Sequence, residues 1–191
     1  MFHTSGFLKK GFTLVELIVV TSIVLLLSSI FLANYRAGGK EYSLLRAANK
    51  LAQDIRRAGE MAISTRECKP PPTSCPAAGG VPTGGYGFYI DKSQDDRYFI
   101  YADSGTSPNP EKYTSGEEIE TIFLETGVYI KDLQPTSANF SINFKPPDPT
   151  INIKDATGQN KDNMTITIAL RTDPTKTKLI KVNKVGLIDI D

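Results

Sequence analysis

The chain has 191 residues, with 22 basic against 21 acidic side chains and a formal charge of +1, so no whole-chain field draws it to nucleic acid. Its single histidine is His3 and its two cysteines are Cys68 and Cys75, which leaves no Ser-His or Cys-His pair for nucleophilic catalysis in the body of the chain. The length suits one modest domain that follows an N-terminal helix.

The first element is an apolar run from Phe12 to Ala33, about 22 residues, which at ~1.5 Å per residue crosses the hydrocarbon core as a helix. Thr21, Ser22, Ser28 and Ser29 interrupt it only with hydroxyls that a helix bonds back to the preceding turn. Lys9 and Lys10 precede the run and place its start in the cytoplasm, so everything after the span is exported. A secretory signal needs a shorter core and a small-x-small cleavage site, whereas this run closes on Phe31-Leu32-Ala33-Asn34-Tyr35.

Glu16 is the one ionisable group in the run. About one turn from the helix start it can reach headgroups or water, but an ionisable group inside a membrane marks function. Cleavage after Gly11 would free an α-amino group on Phe12, a cation with a pKa near about 8. In parallel helices packed with an axial offset, Glu16 of one chain would meet that amine of the next. Low dielectric favours the pair over either charge alone, so the contact would set assembly register.

The stretch Gly11-Phe12-Thr13-Leu14-Val15-Glu16-Leu17, with Lys9 and Lys10 before it, resembles the class III signal of type IV pilins and of the pseudopilins of type II secretion. The resemblance covers only the leader and first helix. It implies that a prepilin peptidase cuts between Gly11 and Phe12 and methylates the new amine, and that Glu16 is the assembly glutamate. It also implies the partners: other pilin or pseudopilin subunits in a helical filament, an inner-membrane assembly platform and membrane lipid, with no cofactor. The chain would be a single-pass inner-membrane protein with a periplasmic or extracellular head before it enters the filament.

Beyond the span, apolar residues recur at Leu44, Ala48, Leu51, Ile55, Ala58 and Ala62, in steps of four and three that predict an amphipathic helix packed on a sheet. Arg46, Lys50, Asp54, Arg57 and Glu60 fall in other directions, so the stripe is read as free of inward carboxylates. Gly38-Gly39 lies between the two halves, and each glycine costs about 1 kcal/mol of helix relative to alanine, which makes the junction soft. The predicted organisation is a leader at 1–11, a helix at 12–65 and a β-rich head at 66–191.

Cys68-Lys69-Pro70-Pro71-Pro72-Thr73-Ser74-Cys75 follows, and its prolines are expected to end the helix. Two cysteines closing a short loop in an exported domain read as a disulfide, worth about 2–3 kcal/mol. Zinc would need further Cys or His ligands.

From Gly87 the pattern is of short strands, near Gly87–Ile90, Arg97–Ala102, Ile119–Leu124, Val128–Leu133, Phe140–Phe144, Thr150–Lys154, Met164–Leu170, Leu179–Val182 and Leu187–Ile190. Phe140, Ile142 and Phe144 alternate with Ser141 and Asn143, as in a half-buried strand. The fold class is α+β, and the resemblance implies a pilin-like arrangement of a long N-terminal helix on an antiparallel sheet or sandwich. Asp91, Asp95 and Asp96 flank a predicted turn; their spacing is not that of an EF-hand, and turn solvation accounts for them. Asp155, Asn160, Asp162 and Asn163 have the same explanation.

Leu51-Ala52-Gln53-Asp54-Ile55-Arg56-Arg57-Ala58-Gly59-Glu60-Met61-Ala62-Ile63-Ser64 is similar to the helix of H-type minor pseudopilins and FimT-like minor pilins. The latter can bind DNA in natural transformation, and Arg171, Lys176, Lys178, Lys181 and Lys184 are the candidate contacts. A lysine-protected edge strand accounts for the same pattern, and Asp173, Asp189 and Asp191 offset its charge. The function read from the sequence is a non-enzymatic filament subunit. A DNA-binding minor pilin and a membrane-tethered binding module that does not assemble are the alternatives.

Overall fold

The computed structural model describes residues 11–69, 74–75, 79–106, 110–146 and 150–191. Lys9 and Lys10 of the leader and the run Pro70-Pro71-Pro72 lie outside the described residues. The chain divides into two compact units, Met1–Gly39 and Lys40–Asp191.

Helix α1 spans Leu14–Ile63 and is helical at Gly38 and Gly39. It starts where Thr13 accepts a hydrogen bond on its hydroxyl from the backbone N–H of Glu16, at 3.2 Å. Its end is set before the prolines are reached. Thr65 takes a positive φ of 47°, the Thr65 N–H donates to the Ala62 carbonyl and the Arg66 N–H donates to the Met61 carbonyl. That pair of bonds is a Schellman stop with threonine where glycine is usual, which corrects the expectation that Pro70–Pro72 terminate the helix.

Ten strands follow among the described residues: β1 Gly85–Asp91, β2 Arg97–Asp103, β3 Glu118–Phe123, β4 Val128–Gln134, β5 Asn139–Lys145, β6 Thr150–Asp155, β7 Asn160–Lys161, β8 Asn163–Leu170, β9 Asp173–Asn183 and β10 Ile188–Ile190. All nine expected strands are present, and the two-residue β7 is additional. They form a six-stranded sheet in the order β3-β2-β1-β5-β6-β7 and a four-stranded sheet in the order β10-β9-β8-β4, with every pairing antiparallel. The class is α+β.

The apolar stripe of α1 and the inner faces of both sheets share one core, in which Leu51 and Ile55 of the helix join Phe88, Phe140, Ile166 and Ile180 of the strands. A register shift in β4 between Ile130 and Asp132 lets Ile130 and Leu133 both reach that core; an undisturbed period-two strand would turn one of them outward. Small residues let the helix come close. A Cβ on Gly59 would stand 3.2 Å from the Phe144 ring.

Two expectations are corrected here. Asp54 does not point away from the core: it is 7% exposed and accepts a 2.7 Å hydrogen bond from the Tyr98 hydroxyl, with the Arg57 guanidinium 3.6 Å away. The buried arc is wider than one stripe because Ala47 and Met61 are buried too, and Asp54 lies at helical spacing between them. Burial raises the Tyr98 hydroxyl well above its ordinary pKa, and its bond to Asp54 adds to the shift.

Nor are the central strands of the larger sheet half-buried. Ser141 and Asn143 of β5 are fully buried, because the segment before β3 folds over the outer face. There Tyr113 stacks on Tyr89 at 4.1 Å and meets Tyr101 edge-on at 5.6 Å. Two buried carboxylates hold this strap. Asp103 accepts the N–H groups of Gly105 and Glu111, both at 2.8 Å. Glu117 accepts those of Ser104 at 3.1 Å and Thr114 at 2.9 Å, and burial raises its carboxyl above the ordinary value.

The close approach at Gly59 generates a stability test. Gly59→Leu should destabilise the detergent-solubilised chain by about 1–3 kcal/mol through overpacking against Phe144, read as a lower urea midpoint with an unchanged slope; an unaltered midpoint would place the helix further from the sheet than it is here.

Candidate functional site

The residues singled out for processing and assembly sit at the head of α1. Gly11 is exposed and nothing lies within 4 Å of where its Cβ would be, so packing within this chain does not require glycine there. Phe12 is 80% exposed. Glu16 stands three residues after Thr13, the cap, in a Thr-x-x-Glu arrangement. The sequence carries that capping signal openly, yet the reading of the run as an unbroken span from Phe12 passed over it.

From Leu14 to Leu32, 19 residues, the helix is long and apolar enough to cross a membrane. At ~1.5 Å per residue that is about 28 Å, close to one hydrocarbon core. Three of its hydroxyls are satisfied within the helix: Thr21 donates to the Leu17 carbonyl at 2.9 Å, Ser22 to that of Ile18 at 2.7 Å and Ser29 to that of Leu26 at 2.8 Å. Glu16 therefore stands as the polar exception on this surface. An acid in the first helical turn gains about 0.3–1 kcal/mol from the helix dipole, against roughly 2.5–3.5 kcal/mol for an acidic side chain at mid-membrane depth. The dipole alone does not offset the mid-membrane cost.

Cys68 and Cys75 are bonded to each other, with their Cα atoms 5.3 Å apart. A bridge between Cys68 and Gly80 continues the closure, and the Tyr86 hydroxyl donates to the Arg66 carbonyl at 2.5 Å. The bridge and the Tyr86 bond tie the chain leaving α1 to the start of the sheet, and the disulfide closes the loop between them.

The basic residues near the C-terminus lie on and beside β9, but most are matched by carboxylates of the same chain. Arg171 bonds Asp95 at 2.6 Å and lies over the Tyr129 ring; Lys176 pairs with Glu41 at 2.5 Å and Lys184 with Asp162 at 2.7 Å. Lys181 pairs with Asp191, and Lys178 is half-buried. β9 is an edge only in part, since β10 pairs with it from Ile180 to Val182. This arrangement neutralises the patch and holds its cations in place, the reverse of a basic groove offered to phosphates.

The acidic turn residues also have protein partners rather than solvent alone. Asp91 accepts from the Ser93 N–H at 2.7 Å and the Tyr89 hydroxyl at 2.8 Å, and Asp96 bonds Arg97. Asp155 closes the turn between β6 and β7, accepting from the Thr157 N–H and hydroxyl and the Gln159 N–H at 2.9, 2.6 and 3.0 Å, with Lys161 at 3.0 Å.

With this geometry in place, residues 7–32 match the prokaryotic N-terminal methylation motif. The chain carries that motif. The match supports the type IV pilin and pseudopilin superfamily, and it falls on the segment in which Gly11, Phe12 and Glu16 lie. No curated protein matches the chain. Among solved structures, the type IV minor pilin FimU of Pseudomonas aeruginosa aligns at 12% identity and a TM-score of 0.43, covering 78% of this chain and 87% of FimU. The N-terminal helix is consistent with a single-pass membrane anchor.

Asp155 yields a pH test. Burial alone would raise its carboxyl, but the hydrogen bonds from Thr157, Lys161 and Gln159 outweigh it and lower the pKa to about 2. A depressed acid stabilises the fold fully above its unfolded value, near about 4, and loses that contribution as pH falls toward 2. Asp155→Asn should therefore cost about 1–2 kcal/mol at pH 7 and flatten the loss of stability between about pH 4 and 2, measured by denaturant unfolding across that range.

Proposed function

We propose that this protein is a structural subunit of a type IV filament, a pilin or pseudopilin in either a type IV pilus or a type II secretion system. In this reading a prepilin peptidase removes residues 1–11, Phe12 becomes the N-methylated first residue, and the anchor passes from the inner membrane into the filament with the head outside. The observation that carries it is Glu16, one carboxylate on the exposed surface of an otherwise apolar membrane-length helix, inside a methylation motif.

The chemistry of the pairing supports the reading. Cutting after Gly11 turns an amide nitrogen into an amine, and methylation leaves that amine able to carry a proton. The cation and Glu16 of a neighbouring chain then neutralise each other where water is scarce. A misregistered neighbour leaves two charges unpaired, so the contact penalises wrong offsets more than it rewards the right one. Gly11 makes no packing demand within its own chain, in keeping with a small residue that serves the peptidase. The role is structural rather than catalytic, with prepilin peptidase, other subunits, the assembly platform and lipid as partners.

Glu16→Ala separates processing from assembly. Mass spectrometry should find the mature chain beginning at Phe12 as in the wild type, while its amount in sheared filaments falls by about tenfold or more, equivalent to ~1.4 kcal/mol or more of lost pairing. Normal filament content in that variant would remove the register mechanism.

A further inference from the structure

Strand β3 ends the larger sheet and is paired on its β2 side alone. The Leu124 N–H donates to the Asp96 carbonyl, which sets the phase of the ladder. Bonded residues alternate in an antiparallel pair, so Ile122 follows Leu124 toward β2 while Thr121 and Phe123 turn their N–H and C=O groups to the free edge. Both side chains are exposed, that of Phe123 to 55%. Edge strands are commonly guarded by lysine or proline, and β3 has neither. Its two acids are engaged within the chain, Glu118 by the Tyr113 hydroxyl and the Gly116 N–H, and Glu120 by Arg57.

The open edge runs into a cavity near the start of the strand. β3 bulges at Ile119, because Glu120 stands opposite Ile100 whereas Glu118 stands opposite Tyr101. The unpaired Ile119 is 38% exposed and lines a cavity of about 290 Å³ whose other apolar walls are Met61, Tyr86 and Ile100. Arg66 and Lys69 line it too and are exposed, which places them at its mouth. Among the described residues neither has an ion pair, and of the two acids lining the cavity Glu120 is taken by Arg57, leaving Glu67 against two cations. Arg57 forms part of the wall; its Nε is buried and has no hydrogen-bond partner, although its terminal nitrogens serve Asp54 and Glu120. The cavity thus pairs an apolar interior with donors that lack an acceptor.

Edge and cavity together select an occupant. A strand that continues the antiparallel sheet runs opposite to β3, so its C-terminus arrives at Ile119. A parallel strand would bring an amino terminus against Arg66 and Lys69 and set like charges together. Main-chain bonds to a free edge supply affinity, and a pocket for one side chain supplies specificity. Carboxylate bonds to arginine and lysine are about twice as strong as neutral ones.

We propose that the β3 edge binds the C-terminal segment of a partner protein as an added antiparallel strand along Thr121 and Phe123, with its last, apolar side chain in the cavity and its terminal carboxylate on Arg66 and Lys69. The surface lies within the unit Lys40–Asp191 and is independent of the assembly reading above.

The test uses the full-length chain immobilised in detergent and two pools of randomised heptapeptides, one with free C-terminal carboxylates and one with C-terminal amides, with retained peptides identified by mass spectrometry. The acid pool should yield peptides ending in Leu, Ile, Val or Phe, retained about tenfold or more above the matching amides. Thr121→Pro removes one outward N–H and leaves the β2 ladder intact, and Arg66→Gln with Lys69→Gln removes the cations; each should cut retention by about tenfold. The glutamine pair changes only exposed side chains, so the test stands even where the proline variant does not fold. Equal retention of acids and amides, or retention from the amide pool of peptides with an internal Asp or Glu, would overturn the capture of a C-terminus. Retention that survives both variants, or none from either pool, would overturn the proposal outright.

Discussion

The head is built around the close approach of one helix to two sheets. Ala47, Ala48, Ala52, Ala58, Gly59 and Ala62 keep the inner face of α1 shallow, which lets residues such as Phe144 pack directly on its backbone and lets both sheets share the helix as one core. A bulky residue there would push the sheets outward and open the sandwich along its length. The disulfide between Cys68 and Cys75 and the Schellman stop at Thr65 serve the same constraint, because the chain must turn sharply from the helix to enter the sheet.

That helix meets two different surroundings in one continuous element. From Leu14 to Leu32 it exposes large apolar side chains all round and satisfies the hydroxyls of Thr21, Ser22 and Ser29 internally. From Leu44 onward it buries one arc against protein. Charge follows the same division. In the head many of the cations have a carboxylate beside them, as with Arg46 and Glu125 at 2.9 Å or Lys92 and Asp132 at 2.8 Å. Such exposed pairs contribute little stability individually, but they leave the head without a concentrated field of either sign. Glu16 differs because it sits in the apolar segment, and its proposed partner comes from another molecule.

The strands were legible because their alternation is simple: Phe140, Ile142 and Phe144 are inward, as their spacing indicates. What alternation does not reveal is whether the second face is also covered. Ser141 and Asn143 look like solvent-facing residues until Tyr113, from a different part of the chain, stacks over Tyr89 and closes the outer face. Asp54 was misread for a related reason. A carboxylate on a helix is assigned to water by default, and only the Tyr98 hydroxyl arriving from β2 makes its burial tolerable. The lysines and arginine near the C-terminus read as a patch in one dimension, whereas their partners Asp95, Glu41 and Asp162 are distant in sequence.

The sequence by itself determined the membrane-length helix with Glu16 near its start, the cysteine pair and the positions of the main strands. Each of these follows from local spacing: hydropathy over consecutive residues, a motif of a few positions, or a period of two. The tertiary structure alone decided which polar groups are buried, which charges cancel and which apolar residues remain uncovered on the outside. Those outcomes depend on groups brought together from far along the chain, and the free energy of a buried carboxylate or an exposed tyrosine is set by what stands opposite it rather than by its neighbours in sequence.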